Sequence, residues 1–119
     1  MSRLEEKRRR RQRRKLHIRK RVVGTAEKPR MSVYRSARYL YVQVIDDAGG
    51  QTLASVSNLE KQLRAIKSNR AGAEQLGEVI GKRLKEKSIA RVVFDRNGYL
   101  YHGLVRSIAD GARKTGIQF

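Results

Sequence analysis

Ten residues near the C-terminus, "FDRNGYLYHG" from Phe94 to Gly103, gather an Asp, an Arg, two Tyr and one of the chain's two His. Asp95 and His102 are the types that serve as orienter and general base, and Arg96 is a type that stabilises an anion. The rest of the chain adds little to an active site. It has no nucleophile-elbow motif, no zinc-type His pair and no second carboxylate next to Asp95. Asp46 and Asp47 adjoin, but in a Gly-rich turn where Asp serves local hydrogen bonding. His17 stands in a run of cations and is a poor metal ligand.

Two quieter roles compete with catalysis. In one, Asn97-Gly98 is a turn dipeptide, Tyr99 and Tyr101 cover a sheet edge, and His102 caps the last helix. In the other, the loop touches nucleic acid. Arg makes bidentate phosphate contacts, Tyr and His stack on bases or bond the 2′-hydroxyl, and glycine lets backbone come close. A turn alone does not account for Arg, His and two Tyr together in a chain with five Tyr, two Phe and no Trp.

The charge favours the contact loop. The 119 residues, one domain's worth of chain, carry 29 Lys plus Arg against 11 Asp plus Glu, a net of +18. Such self-repulsion calls for a polyanionic partner, with nucleic acid ahead of an anionic membrane. No cysteine is present, so disulfides and thiolate metal sites are excluded. No run approaches the roughly 18 apolar residues of a membrane span. No apolar core follows the basic N-terminus, so a soluble intracellular protein without a secretory leader is expected.

The charge is also uneven. Residues 1–30 hold 14 Lys or Arg and 3 acidic residues, and the remaining 89 hold 15 and 8. Residues 1–29 therefore read as a basic arm and residues 30–119 as a globular body. "SRLE" at Ser2 to Glu5 matches a capping box, yet like charges three and four apart oppose a helix in water. The arm is expected to be flexible when free and to order against phosphates.

In the body, "RMSVYRS" and "YLYVQVIDD" alternate with period two around the short "RSAR" reversal at Arg35 to Arg38. "DDAGG" turns the chain again, into "QTLASVS". A second capping box, "SNLE", opens a helical stretch in which a break at "KSNR" separates a short first turn or helix from a longer helix over Gly72 to Lys87. Ala73, Leu76, Val79, Ile80 and Leu84 share one face of that helix, and Gly77 and Gly81 suit close packing on a sheet. "IARVVFD" is a buried strand reached by a crossover, hence parallel to its neighbour. "LVRSIADGARKTG" closes as a helix stopped at Gly116. The fold expected is α/β: a mixed sheet in β-β-β-α-β-α order with helices packed on it, preceded by the arm.

"KPRMSVYRSARYLYVQVIDDAGGQTLAS" and "VVFDRNGYLYHGLVRSIADGARKTGIQF" together resemble the bacterial large-subunit ribosomal protein L18 family, over nearly the whole chain. That resemblance implies a mixed α/β protein of the cytoplasmic large ribosomal subunit. It would bind 5S rRNA and help attach it to 23S rRNA in the central protuberance, beside neighbouring ribosomal proteins. It also implies no enzymatic activity, no cofactor, no membrane partner and no small-molecule substrate. The RNA contacts it implies begin in the arm with Arg3, Lys7, Arg8, Arg9, Arg10, Arg11, Arg13, Arg14 and Lys15, then Arg19, Lys20 and Arg21. Lys28 and Arg30 follow, then Arg35, Ser36, Arg38 and Tyr39 of the first hairpin. Arg96, Gly98, Tyr101, His102 and Gly103 complete the set. The alternatives are a non-specific RNA chaperone and, less well supported by the motifs, a small ribonuclease.

Overall fold

The computed structural model describes residues 2–19, 23–36, 38–97, 99 and 103–119, the side chains of Ile18 and Arg19 excepted. Helix α1 spans Arg3–Arg19, strands β1 to β3 span Arg30–Arg35, Leu40–Asp46 and Gln51–Ser57, and a single 3₁₀ turn covers Lys61–Leu63. Helix α2 (Arg70–Glu86), strand β4 (Val93–Asp95) and helix α3 (Leu104–Lys114) complete the chain. The sheet order is β3-β2-β1-β4. Its first three strands form an antiparallel meander, and β4 lies parallel to β1. This is the mixed α/β sheet expected, with α2 carrying the chain from one sheet edge to the other.

Alternation along the strands builds one packed face. Met31 and Val33 of β1, Leu40, Val42 and Val44 of β2, and Val56 of β3 are buried. Ala73, Leu76, Ile80 and Leu84 of α2 and Val105, Ile108 and Ala112 of α3 close over them. Each large aliphatic side chain so buried contributes about 1.5–3 kcal/mol. Helix α2 begins two residues before the expected start because Asn69 caps it, its Oδ1 accepting from Gly72 N–H at 2.8 Å. Gly116, at φ 97°, ends α3 as expected.

One local expectation changes. Gly77 and Gly81 do not meet the sheet. A Cβ at Gly77 would overlap the Ile108 carbonyl of α3, and one at Gly81 would overlap Thr115. Gly111 of α3 answers with the same bareness against the Glu74 carbonyl, so the glycines let two helix backbones touch. The "SNLE" box opens the shorter of the two forms expected, the 3₁₀ turn at Lys61–Leu63. Glu60 Oε2 accepts from Ser57 N–H at 3.0 Å, but Arg83 takes the same carboxylate and pins it to α2.

The arm is helical. Ser2 Oγ accepts from Glu5 N–H at 3.2 Å, and Glu6 pairs with Arg10 one turn on at 2.9 Å. The cap, the acidic first turn and that ion pair offset the like-charge repulsion which argued against a helix. None of the core cluster comes from the described side chains of α1. The following segment joins the body: Gly24 is buried, with its N–H on Asp47 Oδ2 at 2.7 Å and its carbonyl on Asp47 N–H at 3.0 Å.

Candidate nucleic-acid interface

Asp95 ends β4, where an enzyme on this fold would place a base. Its carboxylate is instead committed on both sides. Arg30 Nη1 donates to Oδ2 at 2.7 Å, and Asn97 N–H donates to Oδ1 at 2.8 Å. Arg30 spends its other nitrogens on Asp47, Nε and Nη2 each donating at 3.0 Å. The Asp47 hydrogen bonds, with that to Asp95 behind them, hold the Arg30 pKa above its ordinary value although burial opposes them. Arg30, named as an RNA contact from sequence, is 7% exposed and ties the start of β1 to the ends of two loops.

The described residues after Asp95 close a turn. Asn97 takes the left-handed region at φ 54°, which its short amide tolerates. Arg96 Nη1 donates to Tyr99 O at 2.9 Å, closing the turn. The Tyr99 hydroxyl donates to Arg35 O at 3.1 Å, fastening the loop to the end of β1. Gly98, Tyr101 and His102, named as contacts from sequence, lie outside the described residues, as do Lys20 and Arg21.

Tyr99 is also where arm and body meet. The Arg11 guanidinium carbon sits 4.1 Å from its ring centroid and that of Arg35 sits 5.5 Å away. Such stacks contribute roughly 0.5–2 kcal/mol each. Beside this junction runs a groove of about 760 Å³. One wall is α1, with Leu4, Lys7, Arg8, Arg11 and Arg14. The other is the body, with Arg35, Arg70, Tyr99 and Leu104. Arm, first hairpin and C-terminal loop therefore converge at Arg11, Arg35 and Tyr99.

The "RSAR" reversal projects Arg35, Ser36, Arg38 and Tyr39 into solvent. Ser36 N–H donates to Tyr39 O at 2.8 Å, and Tyr39 N–H returns to Ser36 Oγ at 3.2 Å. Behind it Asn58, 7% exposed, accepts from Leu40 N–H at 3.0 Å and donates to Arg38 O and Ile66 O. One buried amide thus sets the hairpin against the turn before α2, where Arg64 and Lys67 line a shallow hollow with Arg38 and Tyr39.

A family model described as "Ribosomal L18 of archaea, bacteria, mitoch. and chloroplast" matches residues 5–119, arm helix and body together. The chain belongs to the ribosomal protein L18 family. Similar curated proteins include the "Large ribosomal subunit protein uL18" of Treponema denticola, 61% identical over 96% of this chain and 95% of that one. The protein of the same name from Treponema pallidum is 59% identical over the same shares. That of Dictyoglomus thermophilum is 54% identical over 89% of each.

In this L18-family chain, Arg3, Lys7, Arg8, Arg9, Arg10 and Arg13 stand exposed on α1, while Arg11, Arg14 and Lys15 are half-buried. Arg19 ends the helix and Lys28 is exposed beyond it. Arg96 and Gly103 are half-buried at the rim. Sequence inspection passed over Arg64, Lys67 and Arg70, which extend the basic surface toward the groove. Their spacing of three in "LRAIKSNR" was the available signal. Asn58 had none, because its three partners are scattered along the chain. No helix among the described residues is long and apolar enough to cross a membrane.

Proposed function

We propose that this protein is a constituent of the large ribosomal subunit, in the cytoplasm, that binds 5S rRNA and helps attach it to 23S rRNA in the central protuberance. The observation that carries the proposal is the family match from residue 5 to residue 119, which takes in the arginine-rich helix as well as the sheet. The relatives are named as large-subunit proteins. The geometry supplies a mechanism. The "RSAR" hairpin and the Arg96 loop, linked where the Tyr99 hydroxyl donates to Arg35 O, form a basic rim that reads RNA through phosphates and shape, and α1 extends the contact to a second RNA segment or a neighbouring ribosomal protein.

The binding is structural and involves no turnover. Asp95, the carboxylate an RNA-cleaving site would use, is neutralised by Arg30. The test is recovery of the tagged protein from cell extract, with sizing and sequencing of the bound RNA, followed by competition of 5S rRNA against bulk transfer RNA. Enrichment of 5S rRNA that transfer RNA fails to displace is expected. Equal displacement by both would identify a non-specific chaperone instead.

A further inference from the structure

The groove between α1 and the body has a chemistry of its own. Lys7, Arg8, Arg11, Arg14, Arg35 and Arg70 line it, and no carboxylate is among its described lining residues. Its ligand is therefore an anion. Arg11 lines the groove with its guanidinium resting on the Tyr99 ring, and its buried Nε has no hydrogen-bond partner among the described residues.

Charge is not the whole lining, because Leu4 and Leu104 are exposed or half-buried beside the cations. Phosphate alone has no use for an apolar wall. A phosphate joined to a flat base does. The volume of about 760 Å³ suits a small organic group and is too narrow for a double helix.

We propose that the groove receives one unpaired nucleotide of the bound RNA. The arm's guanidinium groups hold its phosphate, and its base lies against Leu4 of α1 and Leu104 of α3. The arm and body then close on a strand from two sides rather than lying along one face of a duplex. This proposal rests on the RNA-binding function put forward above and names the RNA feature that the arm–body junction selects.

Leu4 and Leu16 provide a matched test. Both are exposed on α1, at 57% and 62%, neither belongs to the core, and Leu4 alone lines the groove. Full-length Leu4→Glu and Leu16→Glu carry the same charge change in the same helix. Binding of a 5S rRNA transcript is measured for each, with circular dichroism confirming the fold. Losing one base contact is expected to weaken Leu4→Glu about tenfold. The charge change alone should weaken Leu16→Glu no more than about threefold.

Equal losses would overturn the groove proposal while leaving RNA binding intact. Photo-cross-linking with a 4-thiouridine-substituted transcript gives an independent measure. Cross-links from unpaired uridines to peptides containing Leu4 or Leu104 are expected, and a cross-link set that omits both overturns the proposal. A wild-type protein that does not bind 5S rRNA overturns the RNA-binding function itself, and this proposal with it.

Discussion

Arg30 Nη1 lies 2.7 Å from Asp95 Oδ2 across the parallel β1–β4 pair, with the two side chains 8% and 0% exposed. The pair welds β4 to the meander, at the edge where the short strand has few backbone bonds of its own. Asp47, 28% exposed, completes the arrangement from the β2–β3 turn. Removing Arg30 strands a buried carboxylate. Arg30→Met is expected to cost about 3–5 kcal/mol in urea unfolding. Under conditions where the variant is still folded, its RNA affinity should stay close to wild type. A large affinity loss at unchanged stability would show that Arg30 touches RNA after all.

Gly77→Ala tests the helix–helix contact. In an exposed helix the change stabilises by about 1 kcal/mol through propensity. Here the new methyl group has to displace the Ile108 carbonyl and with it α3. Overpacking of about 1–3 kcal/mol outweighs the propensity gain, so net destabilisation is expected in thermal or urea unfolding. A stabilised Gly77→Ala protein would mean that α2 and α3 do not meet there.

Glu60 gives the stability a defined pH dependence. Its hydrogen bonds to Arg83 come first, and with the Ser57 N–H bond they hold the carboxyl below the usual glutamate range although burial works against them. The folded state thus binds the proton less tightly than the unfolded chain does. The resulting stabilisation is fully present above the unfolded pKa and is lost as pH falls through the folded one. With the carboxylate one-third exposed, the contribution is modest, about 0.5–1 kcal/mol. Glu60→Gln should be less stable than wild type at pH 7, and the difference should close in acid, below the glutamate range. A gap independent of pH would remove the ion pair from the account.

The arm should separate binding from folding. Because the described side chains of α1 add nothing to the core, deleting residues 2–21 is expected to leave a cooperatively unfolding body while RNA affinity falls. Loss of cooperative unfolding would make the arm structural. For the full chain, neutralising about six phosphates on a duplex-like surface gives a slope of log affinity against log salt near −5, and the truncated chain should show a shallower one. A salt-independent affinity would sink the electrostatic mechanism.

Much of the fold was legible because its signals are local. Period-two alternation in "YLYVQVIDD", the glycines of "DDAGG", and apolar spacing in α2 and α3 each concern residues within a few positions of one another. The basic character of the surface was equally open to inspection, since it follows from counting charges. The arm's helix was harder to foresee. A favourable cap and repulsion between like charges oppose each other there, and neither clearly outweighs the other in sequence.

The sequence alone therefore determined the strands and body helices, the excess of positive charge and the family. Tertiary structure decided what individual side chains do, since that depends on partners far away in the chain. Arg30 looks like any other cation until Asp47 and Asp95, 17 and 65 residues on, close around it. Gly77 faces α3 rather than the sheet, with the Ile108 carbonyl where its Cβ would be. "FDRNGYLYHG" reads as a catalytic set in one dimension. In three, Asp95 is spent on Arg30, and Tyr99 instead draws Arg11 and Arg35 together at the mouth of the groove.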